Sequence, residues 1–315
     1  MLKNCYRLAL LAGLLFASGT IVCAGLSRES IRYAGADRHY FIFAPSTVSP
    51  EKLLPLLMVF HGGGGNAEQV LQSSDLVQRA EKEGWILVSP AGSGRLPQML
   101  TWNVGFGFGY ALERHTDDIG FVRHLIATLK SAYPIDPNRV FATGISNGGI
   151  LCHMLAGHLS DQIAAIAPIV ATAAGRAKDQ AAWTVPPPPL YPVSVIAFNG
   201  ALDLNIPLEG GWQKKSWAHD PVEVWSVRQT TEFWVNHNKC SPTAVVEKSA
   251  AGQYERYVYQ GGIRGSEVVQ YVLLNQGHAW PGGKKGFRLG DEPSPSLSAN
   301  ALMFEFFKSH AKKAE

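Results

Sequence analysis

Three side chains that could together cleave an ester or amide bond occur far apart in this chain. Ser146 lies in a G-x-S-x-G turn, and Asp203 and His278 each follow an apolar run. A serine hydroxyl becomes a nucleophile when a histidine accepts its proton. An aspartate can hold that histidine in the correct tautomer and stabilise its protonated form. These residue types therefore predict acyl transfer through a covalent serine intermediate.

The turn that contains Ser146 has the local context that such a nucleophile needs. The short apolar run Val140–Ala142 precedes it, and a helical pattern with Ile150 and Leu151 on one face follows. Glycines two residues before and after the serine leave room for a strained backbone. Because the chain has 32 glycines, the pentapeptide alone is weak evidence, and the surrounding strand and helix support the prediction.

Backbone donors for a developing oxyanion are predicted beside the serine. His61 is followed by four glycines, Gly62–Gly65. In G-x-S-x-G hydrolases such a loop supplies one N–H group and the residue after the serine supplies another. We predict Gly63, with Gly64 as the second choice, and Asn147. A phosphate-binding turn is the alternative, but the loop has neither the Lys-Ser/Thr ending nor the G-x-G-x-x-G spacing of such turns.

Asp203 has two rivals for the role of the acid, Asp117 and Asp118. Both stand at the start of a predicted helix, where acidic side chains interact favourably with the helix dipole. That position already explains them, so Asp203 is the predicted acid.

Tryptophans in the loops around these residues are predicted to bind substrate. Trp102 and Trp280 are expected to approach Ser146, and Trp212 and Trp217 to line a rim. Aromatic rings can stack on a phenolic ring or a sugar face. Packing of the loops themselves is the alternative role for these rings.

Apolar runs alternate with helical patterns along the chain. This alternation predicts an α/β fold with a mostly parallel central sheet and helices on both faces. Sites in such sheets form at the carboxyl ends of strands, and the chain order Ser, Asp, His is that of the α/β-hydrolase fold. The predicted strands include Arg38–Ala44, Leu56–Phe60, Trp85–Ser89, Ile163–Val170, Val193–Phe198 and Glu267–Leu274. The predicted helices begin at Asn66 (running to about Glu83), at Thr116, after Ser146, at about Val222 and at about Ser298.

The first 24 residues have the pattern of a signal peptide. Lys3 and Arg7 precede the apolar core Leu8–Phe16, and a small-residue cleavage site ends at Ala24. Residues 25–315 are then a single catalytic domain. We expect the mature protein to be secreted or periplasmic, without stable membrane association.

Charge and cysteine content exclude several classes of function. The net charge of +3 falls to about +1 once Lys3 and Arg7 are removed, which does not favour a nucleic-acid partner. Cys152 and Cys240 remain after cleavage, too few for a disulfide framework or a zinc site. Whether these two are bridged is left open. The chemistry predicted for Ser146 requires no metal and no organic cofactor.

Several motifs together resemble a known family. HGGGGNA, TWN, DDIGFVRHLI, GISNGG, NGALDLNIPLEGG and GHAWPGG are similar to those of the secreted polyhydroxybutyrate depolymerase and feruloyl esterase family, part of carbohydrate esterase family one. The resemblance implies Ser146 as nucleophile, Asp203 as acid and His278 as base. Relatives often carry a cysteine pair after the late helix. Cys240 matches the first member, and the segment 259–263 lacks the second.

The expected substrate is a small-molecule or oligomeric ester, including feruloyl or acetyl esters linked to polysaccharide. No linker rich in Ser, Thr or Gly precedes the last helix, so soluble esters are favoured over crystalline polyester. A poly(3-hydroxybutyrate) or oligomer depolymerase is the alternative, and a serine peptidase or an inactive binding protein of the same fold is a distant one.

Overall fold

The computed structural model describes residues 25–215, 221–287 and 290–313. The predicted signal peptide, residues 1–24, and Trp217 lie outside the described residues. Both therefore remain predictions.

The described chain alternates between strands and helices in most of its length. The strands are β1 Gly25–Tyr33, β2 Ala36–Ala44, β3 Leu54–Phe60, β4 Ile86–Pro90, β5 Ser93–Leu96, β6 Met99–Thr101, β7 Ile135–Ile145, β8 Ala165–Ile169, β9 Gly175–Arg176, β10 Ser194–Gly200, β11 Gly211–Trp212, β12 Glu223–Val224, β13 Val245–Lys248, β14 Tyr254–Tyr259 and β15 Val268–Leu273. The helices are α1 Ala67–Ser74, α2 Leu76–Glu83, α3 Tyr110–Glu113, α4 Asp118–Ala132, α5 Asn147–His158, α6 Val227–Asn238 and α7 Ala299–Ser309, with a 3₁₀ turn at Ile263–Gly265.

Ten of these strands form one sheet, in the order β1-β2-β4-β3-β7-β8-β10-β15-β14-β13. The six inner strands from β4 to β15 pair in parallel, and antiparallel pairs extend both edges. The carboxyl ends of β3, β7, β10 and β15 therefore meet at one edge of the sheet. This is the edge at which an α/β sheet forms its site.

Apolar packing on both faces of the sheet holds it in place. Helices α4, α5 and α6 pack on one face, and α1, α2 and α7 on the other. Inner strands such as β3 and β10 are buried along their whole length, because parallel strands are covered on both sides. The prediction of an α/β-hydrolase sheet with helices on both faces is confirmed.

One predicted helix is wrong in its extent. The segment from Asn66 to Glu83 forms two helices, because Asp75 has left-handed backbone angles (φ 57°, ψ 20°) that end α1. Asn66 caps α1 as expected, accepting from the Gln69 N–H at 2.9 Å. The Gln69 side chain does not complete a capping box, since it donates to the carbonyl of Gly286 instead.

None of the helices in the described ranges is long and apolar enough to cross a membrane.

Candidate active site

Ser146 occupies a strained turn between β7 and α5. Its backbone angles are φ 56° and ψ −122°. Residues other than glycine rarely adopt this combination of angles. Its neighbours must be small: a Cβ atom on Gly148 would lie 2.4 Å from the carbonyl oxygens of Phe60 and His61, and one on Gly144 would lie 2.6 Å from that of Gly148. The glycines of the predicted turn are thus required by close backbone packing, and Ser146 is left half-buried at the sheet edge.

His278 and Asp203 form a pair at the same edge. His278 Nδ1 lies 2.7 Å from Asp203 Oδ2, and the Asp203 side chain is fully buried. Asp203 Oδ1 accepts from the N–H groups of Asn205 at 2.8 Å and Ile206 at 2.9 Å. A carboxylate held in this way accepts a hydrogen bond from Nδ1–H, which fixes the tautomer with the lone pair on Nε2. The pair is therefore arranged to present a base.

The hydroxyl of Ser146 makes no hydrogen bond with any described residue, His278 included. Backbone bonds connect the ends of the strands from Ser146 to the histidine loop in succession: Ser146 N–H donates to Ile169 at 2.9 Å, Val170 N–H to Phe198 at 2.7 Å, and Leu202 N–H to Gln276 at 2.9 Å. In enzymes without substrate, catalytic hydrogen bonds are often long and tighten only in the complex. The structure thus places His278 in contact with Asp203 and places Ser146 at the same edge of the sheet.

One candidate donor in the glycine loop after β3 is the N–H group of Gly63. The Gly62 carbonyl accepts from His61 Nδ1 at 2.8 Å and from the Gly65 N–H at 3.0 Å. In a trans peptide the next N–H points the opposite way, so the N–H of Gly63 turns away from those bonds. It has no acceptor within the described ranges. The N–H of Gly64 donates to Leu100 at 2.8 Å, which removes it as the second choice.

The backbone N–H of Asn147 is a second donor that has no acceptor among the described residues. Asn147 is the first residue of α5, where N–H groups have no partner within the helix. Gly63 and Asn147 are close: a Cβ atom on Gly63 would lie 3.5 Å from the Asn147 Cβ. Two unpaired donors thus lie together beside Ser146, as stabilisation of an oxyanion requires.

His61 is a buried positioning residue for this loop. It is 1% exposed, donates from Nδ1 to Gly62 and accepts at Nε2 from the Gly92 N–H at 3.0 Å. Burial, together with a smaller effect of the Arg38 charge, lowers the pKa of His61 to about 4 despite the opposing hydrogen bond to Gly62. The imidazole is therefore neutral at neutral pH, with one nitrogen donating and the other accepting.

Comparisons with known proteins find similarity to esterases. No protein-family model matches the chain. It is 27% identical over 252 residues to feruloyl esterase B of Piromyces equi, which covers 79% of this chain and 44% of that protein. It is 26% identical over 291 residues to the putative esterase NocK of Nocardia uniformis subsp. tsuyamanensis, covering 84% of this chain and 77% of that one.

The relatives found are thus named as esterases, and similarity to feruloyl esterase B extends over most of this chain. The chain spans less than half the length of the Piromyces protein. Among solved structures, acetyl xylan esterase from Aspergillus awamori superposes with a TM-score of 0.61 over 90% of this chain and 99% of that one, at 13% identity. At that identity the likeness shows the fold alone. The resemblance predicted from the motifs is confirmed, and the names of the relatives support a carboxylic ester hydrolase.

The predicted substrate contacts of Trp102 and Trp280 are wrong. Trp102 is fully buried, and its Nε1 donates to the His61 carbonyl at 3.0 Å. Trp280 is 3% exposed, and its Nε1 donates to Asn300 at 2.9 Å. A buried ring offers no face to a substrate, so both rings pack the loops. Trp212 is 44% exposed.

Trp102 is instead held by the side chain of Asn147. Asn147 Oδ1 accepts from the Trp102 N–H at 2.7 Å, and Nδ2 donates to the Trp102 carbonyl at 3.2 Å. The same residue therefore offers its backbone N–H at the site and fixes the neighbouring loop with its amide. This link explains the TWN motif better than substrate contact does.

The two rival carboxylates have structural partners. Asp117 caps α4 by accepting from the Gly120 N–H at 2.9 Å and also accepts from the Tyr33 hydroxyl at 2.6 Å. Asp118 is buried and pairs with Arg38 at 2.7 Å. Neither Asp117 nor Asp118 forms a hydrogen bond with His278.

A second carboxylate beside His278, that of Asp291, was not predicted. Asp291 Oδ2 accepts from the backbone N–H of His278 at 2.6 Å, and Lys215 Nζ lies 3.8 Å from the other oxygen. Asp291 lies in an irregular loop, 13 residues after His278 and without periodicity, so no sequence pattern indicated it. It holds the backbone of the histidine loop, whereas Asp203 holds the imidazole ring.

The described part of the chain shows no metal-binding cluster and no disulfide. It contains no group of three or more His, Cys, Asp or Glu side chains that could hold a metal ion. Cys152 and Cys240 are both buried and unbridged, and burial raises the pKa of the Cys152 thiol well above its ordinary value.

Proposed function

We propose that this chain is a serine carboxylic ester hydrolase with Ser146 as nucleophile, His278 as general base and Asp203 as the acid of the triad. The observation that carries the proposal is the 2.7 Å pairing of His278 with the buried Asp203 carboxylate at the sheet edge of the strained Ser146 turn. The relationship to feruloyl esterases supports it.

The reaction begins when His278 Nε2 takes the proton of Ser146 Oγ as that oxygen attacks the ester carbonyl carbon. The carbonyl oxygen becomes negatively charged and accepts from the N–H groups of Gly63 and Asn147. The bond to the alcohol then breaks, and His278 gives its proton to the departing oxygen. Water attacks the acyl-enzyme by the same route, releasing the acid and restoring Ser146.

The proposed substrates are feruloyl, acetyl and other soluble esters, including those carried by polysaccharides. Relatives named feruloyl esterase and acetylxylan esterase support this class. This chemistry calls for no metal or organic cofactor. The proposed partner is the ester itself, with no nucleic acid.

A hydrolysis panel tests the substrate class. Methyl ferulate, short p-nitrophenyl esters, an acetylated xylo-oligosaccharide, a 3-hydroxybutyrate dimer and a short unmodified peptide are offered at equal concentrations. We expect cleavage of the feruloyl and acetyl esters. Cleavage of the 3-hydroxybutyrate ester alone would make a polyester-oligomer depolymerase the better description, and cleavage of peptides alone would make it a peptidase.

Variants test the roles of the three residues. Ser146→Ala should lower turnover by several orders of magnitude with the fold intact, and Asp203→Asn by about 10⁴-fold. Asp117→Asn is the matched control, because asparagine caps a helix as well as aspartate does. A severe loss in Asp117→Asn with a mild one in Asp203→Asn would move the acid to Asp117.

We further propose that residues 1–24 are removed and that the mature protein, beginning near Gly25, is secreted or periplasmic. The basic start, apolar core and small-residue site of this segment support it. N-terminal sequencing of the protein from its native host checks the point, and retention of Met1 would contradict it.

A further inference from the structure

A glycine-rich loop presents one aromatic ring beside the two unused backbone donors. The loop Gly105–Gly109 has the sequence Gly-Phe-Gly-Phe-Gly, and its three glycines have φ values of 82°, 98° and 104°. Residues with a Cβ atom are strained at such angles. The alternation therefore leaves only two side chains in the loop, those of Phe106 and Phe108.

The loop is fixed by close contacts at several points. Phe106 is 3% exposed, and its ring lies against Gly175, where a Cβ atom would come within 2.2 Å of it. A Cβ atom on Gly109 would lie 2.5 Å from the Thr101 side chain, and one on Gly105 would lie 2.7 Å from that of Thr184. With Phe106 anchored in the core, the position of Phe108 is set by the loop.

The ring of Phe108 ends at the predicted oxyanion donors. A Cβ atom on Gly63 would lie 3.0 Å from Phe108 Cζ and 3.5 Å from the Asn147 Cβ. Phe108 is only half-buried, unlike Trp102 and Trp280. It is thus an apolar ring that reaches the site and keeps an exposed surface there.

The geometry of the reaction indicates whether the acyl or the alcohol part of the ester lies against the ring of Phe108. The alcohol oxygen must lie within reach of His278, since it receives a proton from that residue. The ring lies against Gly63, one of the two proposed donors to the carbonyl oxygen, and that oxygen belongs to the acyl half of the ester. The group that remains for the ring is the acyl part of the ester.

We propose that Phe108 forms the wall of the acyl subsite and determines which acyl groups are accepted, favouring planar aromatic acyl groups over acetyl; this rests on the proposed function. Aromatic rings attract one another in offset or edge-to-face arrangements beyond the effect of burial. An acetyl group is too small to cover the ring.

Two ester series test the proposal. In the first the alcohol is methyl and the acyl group is feruloyl, cinnamoyl, butyryl or acetyl. In the second the acyl group is acetyl and the alcohol is methyl, p-nitrophenyl or a xylosyl unit. We expect Phe108→Ala to lower the ratio of kcat/KM for feruloyl over acetyl by about 10-fold, and to leave the ranking of the alcohols as in the unmodified protein.

Phe108→Leu keeps an apolar side chain and guards against misfolding of the alanine variant, and it should shift the acyl ratio in the same direction by less. Leu190→Ala, which removes a 77% exposed apolar side chain from a different loop, should change neither ranking. A changed alcohol ranking, an unchanged acyl ratio, or an equal loss for every ester would each overturn the assignment.

Labelling of Ser146 with a fluorophosphonate separates this proposal from the proposed function. If the label attaches in both Phe108 variants and the acyl ratio does not change, only the role of Phe108 fails. If the unmodified protein neither takes the label nor cleaves any ester, the proposed function fails, and the acyl subsite with it.

Discussion

Replacement of His61 by alanine should lower kcat, although the proposed reaction gives the His61 side chain no step of its own. His61 is bonded at 2.8 Å to the Gly62 carbonyl and at 3.0 Å to the Gly92 N–H. Those bonds orient the peptide whose N–H, that of Gly63, we propose as an oxyanion donor. In His61→Ala the Gly62 carbonyl keeps only the Gly65 bond, so the peptide can rotate.

The magnitude follows from these contacts. Removal of an oxyanion donor costs about 10²–10³ in kcat, and because one bond still holds the Gly62 carbonyl we expect a loss of about 10- to 100-fold. KM should change little, since the oxyanion forms only after attack. Two lost hydrogen bonds and the space left by the ring should lower the free energy of unfolding by about 3 kcal/mol, or Tm by about 6–10 °C.

The control is a second buried imidazole, that of His153. It is also 1% exposed, and it accepts from Trp234 Nε1 at 2.9 Å. His153→Ala should lower Tm by a similar amount while kcat, measured well below Tm, stays near that of the unmodified protein. Equal losses of kcat in the two variants would refute the role of His61, because destabilisation alone would then account for both.

Three further predictions concern stability and the histidine loop. Burial lowers the pKa of His61 from 6.5 to about 4 and that of His153 from 6.5 to about 3. On acidification the unfolded chain therefore takes up protons first, so stability is present above about pH 6.5 and should fall by about 2–3 kcal/mol per histidine by pH 4.5; a flat Tm between pH 7.5 and 4.5 would contradict this. Asp291→Ala removes the acceptor of the His278 N–H and should lower kcat about 10-fold, with Asp291→Asn restoring most of it; an unchanged rate in Asp291→Ala would remove its positioning role. Gly148→Ala places a Cβ atom 2.4 Å from two carbonyl oxygens and should destabilise the fold by at least about 2 kcal/mol, and a Tm equal to that of the unmodified protein would show that the turn adjusts.

The sheet and its site edge could be predicted because their signals are local. Runs such as those of β3 and β10 are apolar throughout, which is typical of strands buried on both faces. Polar residues directly after such runs lie at the carboxyl edge by topology alone. Asp203 and His278 were found in this way, and the structure brings them into contact at 2.7 Å.

The remaining features depend on tertiary packing that leaves no periodic signal. The left-handed backbone at Asp75 divides a helix that has no proline to announce the break. Trp102 lies in a loop, and only the contacts of Asn147 and His61 show that it is buried. Phe108 and Asp291 reach the site from irregular loops, so neither could be distinguished from its neighbours by pattern.

The central claim is that Ser146 is a nucleophile activated by His278, and covalent labelling tests it most directly. The purified protein is treated with a fluorophosphonate, its intact mass is measured, and the modified peptide is identified. We predict one adduct per chain, on Ser146, that is absent in Ser146→Ala and forms far more slowly in His278→Ala. An adduct on a different serine, or none on a folded protein, would contradict the account.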